Sequence, residues 1–88
     1  MLPFNYAILK HFLTVDEADV DTVMDHLADE YQKSRQFKRS SVTEAMMTAE
    51  ANGLLEETRF ELDVQQQLHV FYRVTEKGRT MIERYIGK

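Results

Sequence analysis

The chain has 88 residues, room for one domain covering residues 1–88, with 43% hydrophobic and 30% charged residues, a globular balance. It has no cysteine, which excludes disulfide staples and thiolate metal sites. A net charge of -4 argues, taken as a sum, against a nucleic-acid binder, but the charges are segregated. Asp16, Glu17, Asp19, Asp21, Asp25, Asp29 and Glu30 crowd one stretch without a base, and Lys33, Arg35, Lys38 and Arg39 follow without an acid.

The N-terminus, Met1 to Tyr6, carries no basic region or long apolar run of the secretory kind, and no stretch nears the ~18 apolar residues of a membrane span. A cytoplasmic chain without membrane association is expected. Pro3 suits the start of a helix, where its missing N–H costs nothing, and Ile8, Leu9, Phe12 and Leu13 then recur at helical spacing. Asp16 or Asp19 caps a second helix whose apolar face is Val20, Val23, Met24, Leu27 and Tyr31. Asp21, Asp25 and Asp29 stack on its other side.

After the basic stretch, Ser41 and Glu44 have the spacing of a capping box, and a third helix buries Val42, Ala45, Met46 and Ala49. Asn52-Gly53 ends it in a left-handed turn. From Leu54 the pattern becomes a strand, with Phe60 and Leu62 on one face and Glu57, Arg59 and Glu61 on the other. Asp63 to Gln67 is a polar turn. On the returning strand Leu68, Val70, Tyr72 and Val74 alternate with His69, Phe71 and Arg73. Thr75 caps a last helix that carries Met81, Ile82, Tyr85 and Ile86 on one side. The order helix-helix-helix-strand-strand-helix predicts an α+β winged helix-turn-helix with a two-stranded antiparallel wing.

The segment from Ser41 to Glu56, with Ala45, Met46 and Gly53-Leu54-Leu55, resembles the recognition helix and first wing strand of PadR-like regulators. Phe71-Tyr72-Arg73-Val74-Thr75-Glu76-Lys77-Gly78-Arg79 resembles that family's strand exit, Tyr-x-Leu-Thr-x-x-Gly, which MarR-like proteins share. The resemblance implies dimeric, cytoplasmic transcription factors that place the third helix in the major groove. The wing departs from that pattern, because its tip carries Asp63 and three glutamines in place of Arg or Lys.

The residues themselves allow two functions. If double-stranded DNA is the partner, Lys33, Arg35, Lys38, Arg39 and Ser40 contact phosphates, and Ser41, Thr43, Glu44, Met47 and Thr48 face the groove. No Arg, Lys, Asn or Gln stands among those groove residues, so bidentate base reading is absent. The alternative is a protein-protein interaction module whose acidic second-helix face docks a basic partner. A homodimer is expected through the first and last helices. Leu2, Phe4, Phe71, Met81 and Tyr85 are the candidate interface, with Phe71 covered by Leu2-Pro3-Phe4 or by a second subunit.

No enzyme, cofactor or metal site is expected. His11, His26 and His69 fall on three elements without an H-x-x-x-H spacing, and His26, Asp29 and Glu30 read as a charged surface rather than a cation site. Ser40-Ser41 has no paired His and acid, and Gly53, Gly78 and Gly87 are isolated, so neither a nucleophile nor a phosphate loop is marked. The Met and aromatic residues fall mostly on the periodic faces, which makes them core rather than the lining of an effector pocket.

Overall fold

Pro3 is extended, with ψ 147°, and its carbonyl accepts from Ala7 N, so the first helix, α1 (Phe4–His11), begins one residue after it. The computed structural model describes residues 2–87. Asp19, extended as an N-cap should be, accepts from Thr22 N at 2.9 Å, and Thr22 Oγ1 accepts in return from Asp19 N, which opens α2 (Val20–Tyr31) with a complete capping box. α3 (Arg39–Ala51) follows, then β1 (Leu55–Leu62), β2 (Leu68–Val74) and α4 (Glu76–Tyr85). The order and the antiparallel pairing of β1 with β2 make an α+β winged helix.

The start of α3 differs from the sequence-based expectation. Lys38 is the N-cap and makes no side-chain cap bond, and its carbonyl already accepts from Ser41 N and Val42 N. Ser41 therefore sits inside the first turn, and it forms no capping box with Glu44, because a capping serine needs extended backbone. The end of α3 is as the sequence predicts. Gly53, at φ +78°, donates to Glu50 O while Leu54 N donates to Ala49 O, which is the Schellman pattern.

A bulge at Thr58 corrects the assignment of faces on β1. Glu57 pairs with Tyr72 and Arg59 with Phe71, so one extra residue lies between two successive pairs. Cross-strand partners share a face. Leu55, Glu57, Phe60 and Leu62 therefore stand with Val74, Tyr72, Val70 and Leu68, and Glu57 is parted from Arg59 and Glu61. The bulge lets Leu55 and Phe60 share the apolar face although they are five residues apart. Only the inner half of that face reaches the body: Leu55 and Tyr72 are buried, while Phe60, Leu62 and Leu68 are exposed.

The core lies between the three helices and the base of the hairpin. Ile8, Phe12, Val23, Val42, Met46 and Leu55 fill it with almost no exposed surface. The segment before α2 is tied to the hairpin by two backbone bonds of 2.9 Å between Ala18 and Tyr72. Among the described residues no helix is long and apolar enough to cross a membrane.

His11 closes the end of α1, buried, with its ring stacked on His26 at 4.0 Å. Burial, and then the neighbouring His26, hold the His11 imidazole below its usual value near 6.5. A base with a depressed folded pKa stabilises the fold above the unfolded value. That contribution is lost as pH falls from about 6.5 through the folded pKa. The melting temperature is expected to fall across this window, and His11→Gln to flatten that part of the profile. An equally steep profile in the variant would show that His11 is not the group responsible.

Candidate nucleic-acid interface

The link between α2 and α3 is short and built. Ser34 N bonds to Tyr31 O at 2.8 Å, Phe37 N to Ser34 O at 3.1 Å, and Lys38 N to Gln36 O at 2.8 Å. Phe37 anchors it, packing edge-on against Phe4 with ring centroids 6.5 Å apart, while Phe4 packs edge-on against Tyr31. The basic stretch is thus a set of cations arranged around an apolar pin. Lys33, Arg35, Lys38, Arg39 and Ser40 are all exposed on it.

Arg39 differs from the other three cations. It forms a short ion pair with Asp21 across the helix pair. Lys33, Arg35 and Lys38 make no ion pair among the described residues. Asp25 and Asp29 are exposed along α2 and pair with none of them, and Asp21 is taken by Arg39. Two arginines of the wing are also occupied. Arg59 binds Glu17 and Glu61, each at 2.7 Å, and Arg73 binds Glu56 at 2.6 Å.

The residues expected to face a groove border two depressions along α3, and Glu44 and Thr48 lie on the edge between them. Thr43, Glu44, Met47 and Thr48 line a shallow, mostly apolar trough with Ser40 and Ala51. Met47 is 56% exposed, unusual for its type. Ser41 turns instead toward α1, into a cavity of about 350 Å³ shared with Asn5, Leu9 and Gln36. Asn5 and Gln36 were not singled out by the sequence, because neither belongs to a motif and only the packing of α1 beside α3 and the link before it brings them together.

The proposed interface residues are scattered. Phe4 is a core residue at 4% exposure, which removes it from any outer surface. Leu2 is tied to the far end of α2, its carbonyl accepting from the Tyr31 hydroxyl. Phe71 is half-buried, and what covers it is the Arg59 guanidinium, 3.9 Å from the ring centroid, rather than the N-terminal segment. Met81 and Tyr85 remain exposed on α4.

A cluster at the base of α2 has no counterpart in any local sequence pattern. His69 Nδ1 lies 3.1 Å from Asp19 Oδ2 and 3.2 Å from Asp21 Oδ2, and Nε2 lies 2.9 Å from Asp63 Oδ2. The bond to Asp63, then that to Asp19, raise the imidazole above its usual value. Burial pushes the Asp19 carboxyl up, but the bonds from Thr22 and His69 outweigh it and hold the group below the usual range. Fifty residues separate Asp19 from His69, so no local spacing could reveal the pair.

No family model and no curated protein sequence matches the chain. Two solved structures are similar in fold. Bacillus subtilis PadR, solved in complex with operator DNA, superposes with a TM-score of 0.76 at 15% identity, over 96% of this chain and 46% of that one. The chain thus spans about half the length of that protein. A transcriptional regulator from Clostridium thermocellum superposes with a TM-score of 0.74 at 13% identity, over 94% of this chain and 78% of that one. The fold is that of a PadR-like winged helix.

Proposed function

We propose that the chain is a DNA-binding transcriptional regulator that lays α3 in the major groove and clamps the flanking phosphates with Lys33, Arg35 and Lys38. The observation that carries this reading is the set of exposed cations held by Phe37 at the start of α3. In helix-turn-helix docking the start of the second helix of the pair is the end nearest the duplex. The acids of α2 favour one orientation, because any other approach brings Asp25 and Asp29 toward phosphate. The likeness to a PadR solved on its operator agrees with the reading at the level of fold.

Sequence would be read through apolar contact. Thr43, Met47 and Thr48 offer methyl and thioether surface suited to thymine methyl groups, with no bidentate reader of guanine or adenine. Arg39 is a weaker phosphate ligand than its neighbours, because Asp21 already holds it. Pairing of two copies through the outer faces of α1 and α4, with Met81 and Tyr85 at the centre, completes the proposed regulator.

The test is duplex binding at several salt concentrations for the wild type and for a variant carrying Lys33→Ala, Arg35→Ala and Lys38→Ala. Three lost phosphate contacts should flatten the log-log salt dependence by about 2.7 and weaken binding about 100-fold near 0.15 M salt. Equal salt slopes for the two proteins would sink this interface. Sedimentation of the free chain and of Tyr85→Ser at matched concentrations checks the paired state.

A further inference from the structure

We propose that Asp19, Asp21 and His69 form a binding site for a divalent transition-metal ion, with zinc the type ion, that ties the wing to the start of α2. The inference stands on side-chain geometry and is independent of the DNA reading. The three ligand atoms, one oxygen from each carboxylate and His69 Nδ1, all lie within 4.8 Å of one another. Zinc holds such ligands at about 2.0–2.2 Å, so ligand atoms around one ion sit about 3–3.5 Å apart. The two spacings from Nδ1, 3.1 and 3.2 Å, already have that size.

Each ligand is also oriented by a second partner. Asp19 Oδ1 accepts from Thr22 N and Thr22 Oγ1, both at 2.9 Å, which leaves Oδ2 for the site. Asp21 gives Oδ1 to Arg39 and turns Oδ2 inward. His69 gives Nε2 to Asp63 and turns Nδ1 inward. A carboxylate on the far ring nitrogen fixes the tautomer that a metal-bound histidine needs. Asp63 thus has the role of an orienting partner, and the ligands come from two elements, α2 with its cap and β2.

Charge favours a dication. Three carboxylates and the Arg39 guanidinium meet at the site. With a protonated imidazole the local sum is one negative charge, and with a neutral imidazole and a dication it is zero. One nitrogen and two oxygens, with no thiolate, suit zinc or manganese rather than a soft ion. The site opens on a groove of about 290 Å³ between α3 and the wing, lined in part by Arg39, Met47 and Leu68. Water completes the coordination from that side.

The bound ion would replace the Nδ1 proton shared by Asp19 and Asp21, converting a hydrogen-bonded clamp into a coordinated one. The wing would then be tied more firmly, and the Asp21–Arg39 pair would carry the constraint to the first turn of α3.

The experiment is a zinc chloride titration of the intact chain in a non-chelating buffer. Histidine ring nitrogens are followed by long-range 15N–1H NMR, with calorimetry for stoichiometry. The expected result is one ion per chain and a coordination shift at His69 Nδ1, with the rings of His11 and His26 unmoved. Asp63→Asn should weaken binding about 10- to 100-fold, the usual effect of losing such a partner. His69→Gln should abolish binding, and His26→Gln should leave it unchanged. No saturable shift at His69 up to millimolar zinc, or a shift at His11 and His26 instead, overturns the site. The wild-type NMR titration decides the matter even if His69→Gln fails to fold.

Discussion

Gly78→Ala is expected to destabilise the protein by about 3 kcal/mol, although alanine is the better helix former by about 1 kcal/mol. A Cβ at position 78 would lie 2.0 Å from the Leu54 carbonyl oxygen and 2.8 Å from its carbon. These are backbone atoms, so no rotamer change relieves the contact. Leu54 cannot retreat either. Its N–H is committed to Ala49 O in the Schellman turn, and its carbonyl accepts from Thr75 N at 3.0 Å. The remaining response is for α4 to lift, which uncovers Ile82, now 1% exposed. In a domain of this size the loss corresponds to roughly 12–24 °C in melting temperature. Thermal denaturation settles it, and a variant that melts at or above the wild-type temperature refutes the close approach.

Phe12→Ala should cost about 3–5 kcal/mol, the range for emptying a buried phenylalanine site. Phe12 has no exposed surface and sits at the C-cap of α1, its ring 6.2 Å from that of His11. A small domain commonly has only about 5–15 kcal/mol in hand, so the variant should lose a large share of its stability. Phe60→Ala supplies the contrast. That ring is 68% exposed, and its removal should change stability by less than about 0.5 kcal/mol. Urea unfolding of both variants measures the difference. Similar losses at the two positions would contradict the placement of Phe12 in the core and of Phe60 on the exposed outer half of the hairpin.

Local periodicity and cap chemistry account for what was legible in the sequence. The spacing of Val20, Val23, Leu27 and Tyr31 marked α2, Asp19 was one of two caps proposed, and Asn52-Gly53 ended α3 where the chain turns left-handed. The start of α3 was misplaced because Ser-x-x-Glu has the same spacing inside a first turn as at a cap. Only the backbone of Lys38 and Ser41 distinguishes them. Alternation identified both wing strands but not their reach past the body. Phe60 and Leu62 belong to the apolar face in sequence and to the surface in space. The bulge at Thr58 left no mark, because threonine is an ordinary strand residue.

The candidate interface was legible for a related reason. Lys33, Arg35, Lys38 and Arg39 are neighbours in sequence, so their grouping survives folding whatever the tertiary contacts. The pairing of Arg39 with Asp21, the cover of Arg59 over Phe71 and the His69 cluster depend on residues from different elements. Such contacts are set by helix packing and strand register, which periodicity within one element does not encode.

The twin bonds between Ala18 and Tyr72 make the hairpin two mechanical objects in one ribbon. Its base, from Leu55 to Glu57 and from Tyr72 to Val74, is clamped on one side by that bridge and on the other by α4, so it moves only when the whole domain opens. Beyond the Thr58 bulge the ribbon is tied to the body by polar side chains, Arg59 to Glu17 and His69 to Asp19 and Asp21, while Phe60, Leu62 and Leu68 stand exposed on its apolar face. That outer length is a lever stayed by polar ties rather than by packing. Its amide protons would exchange with solvent through small openings that leave the base closed.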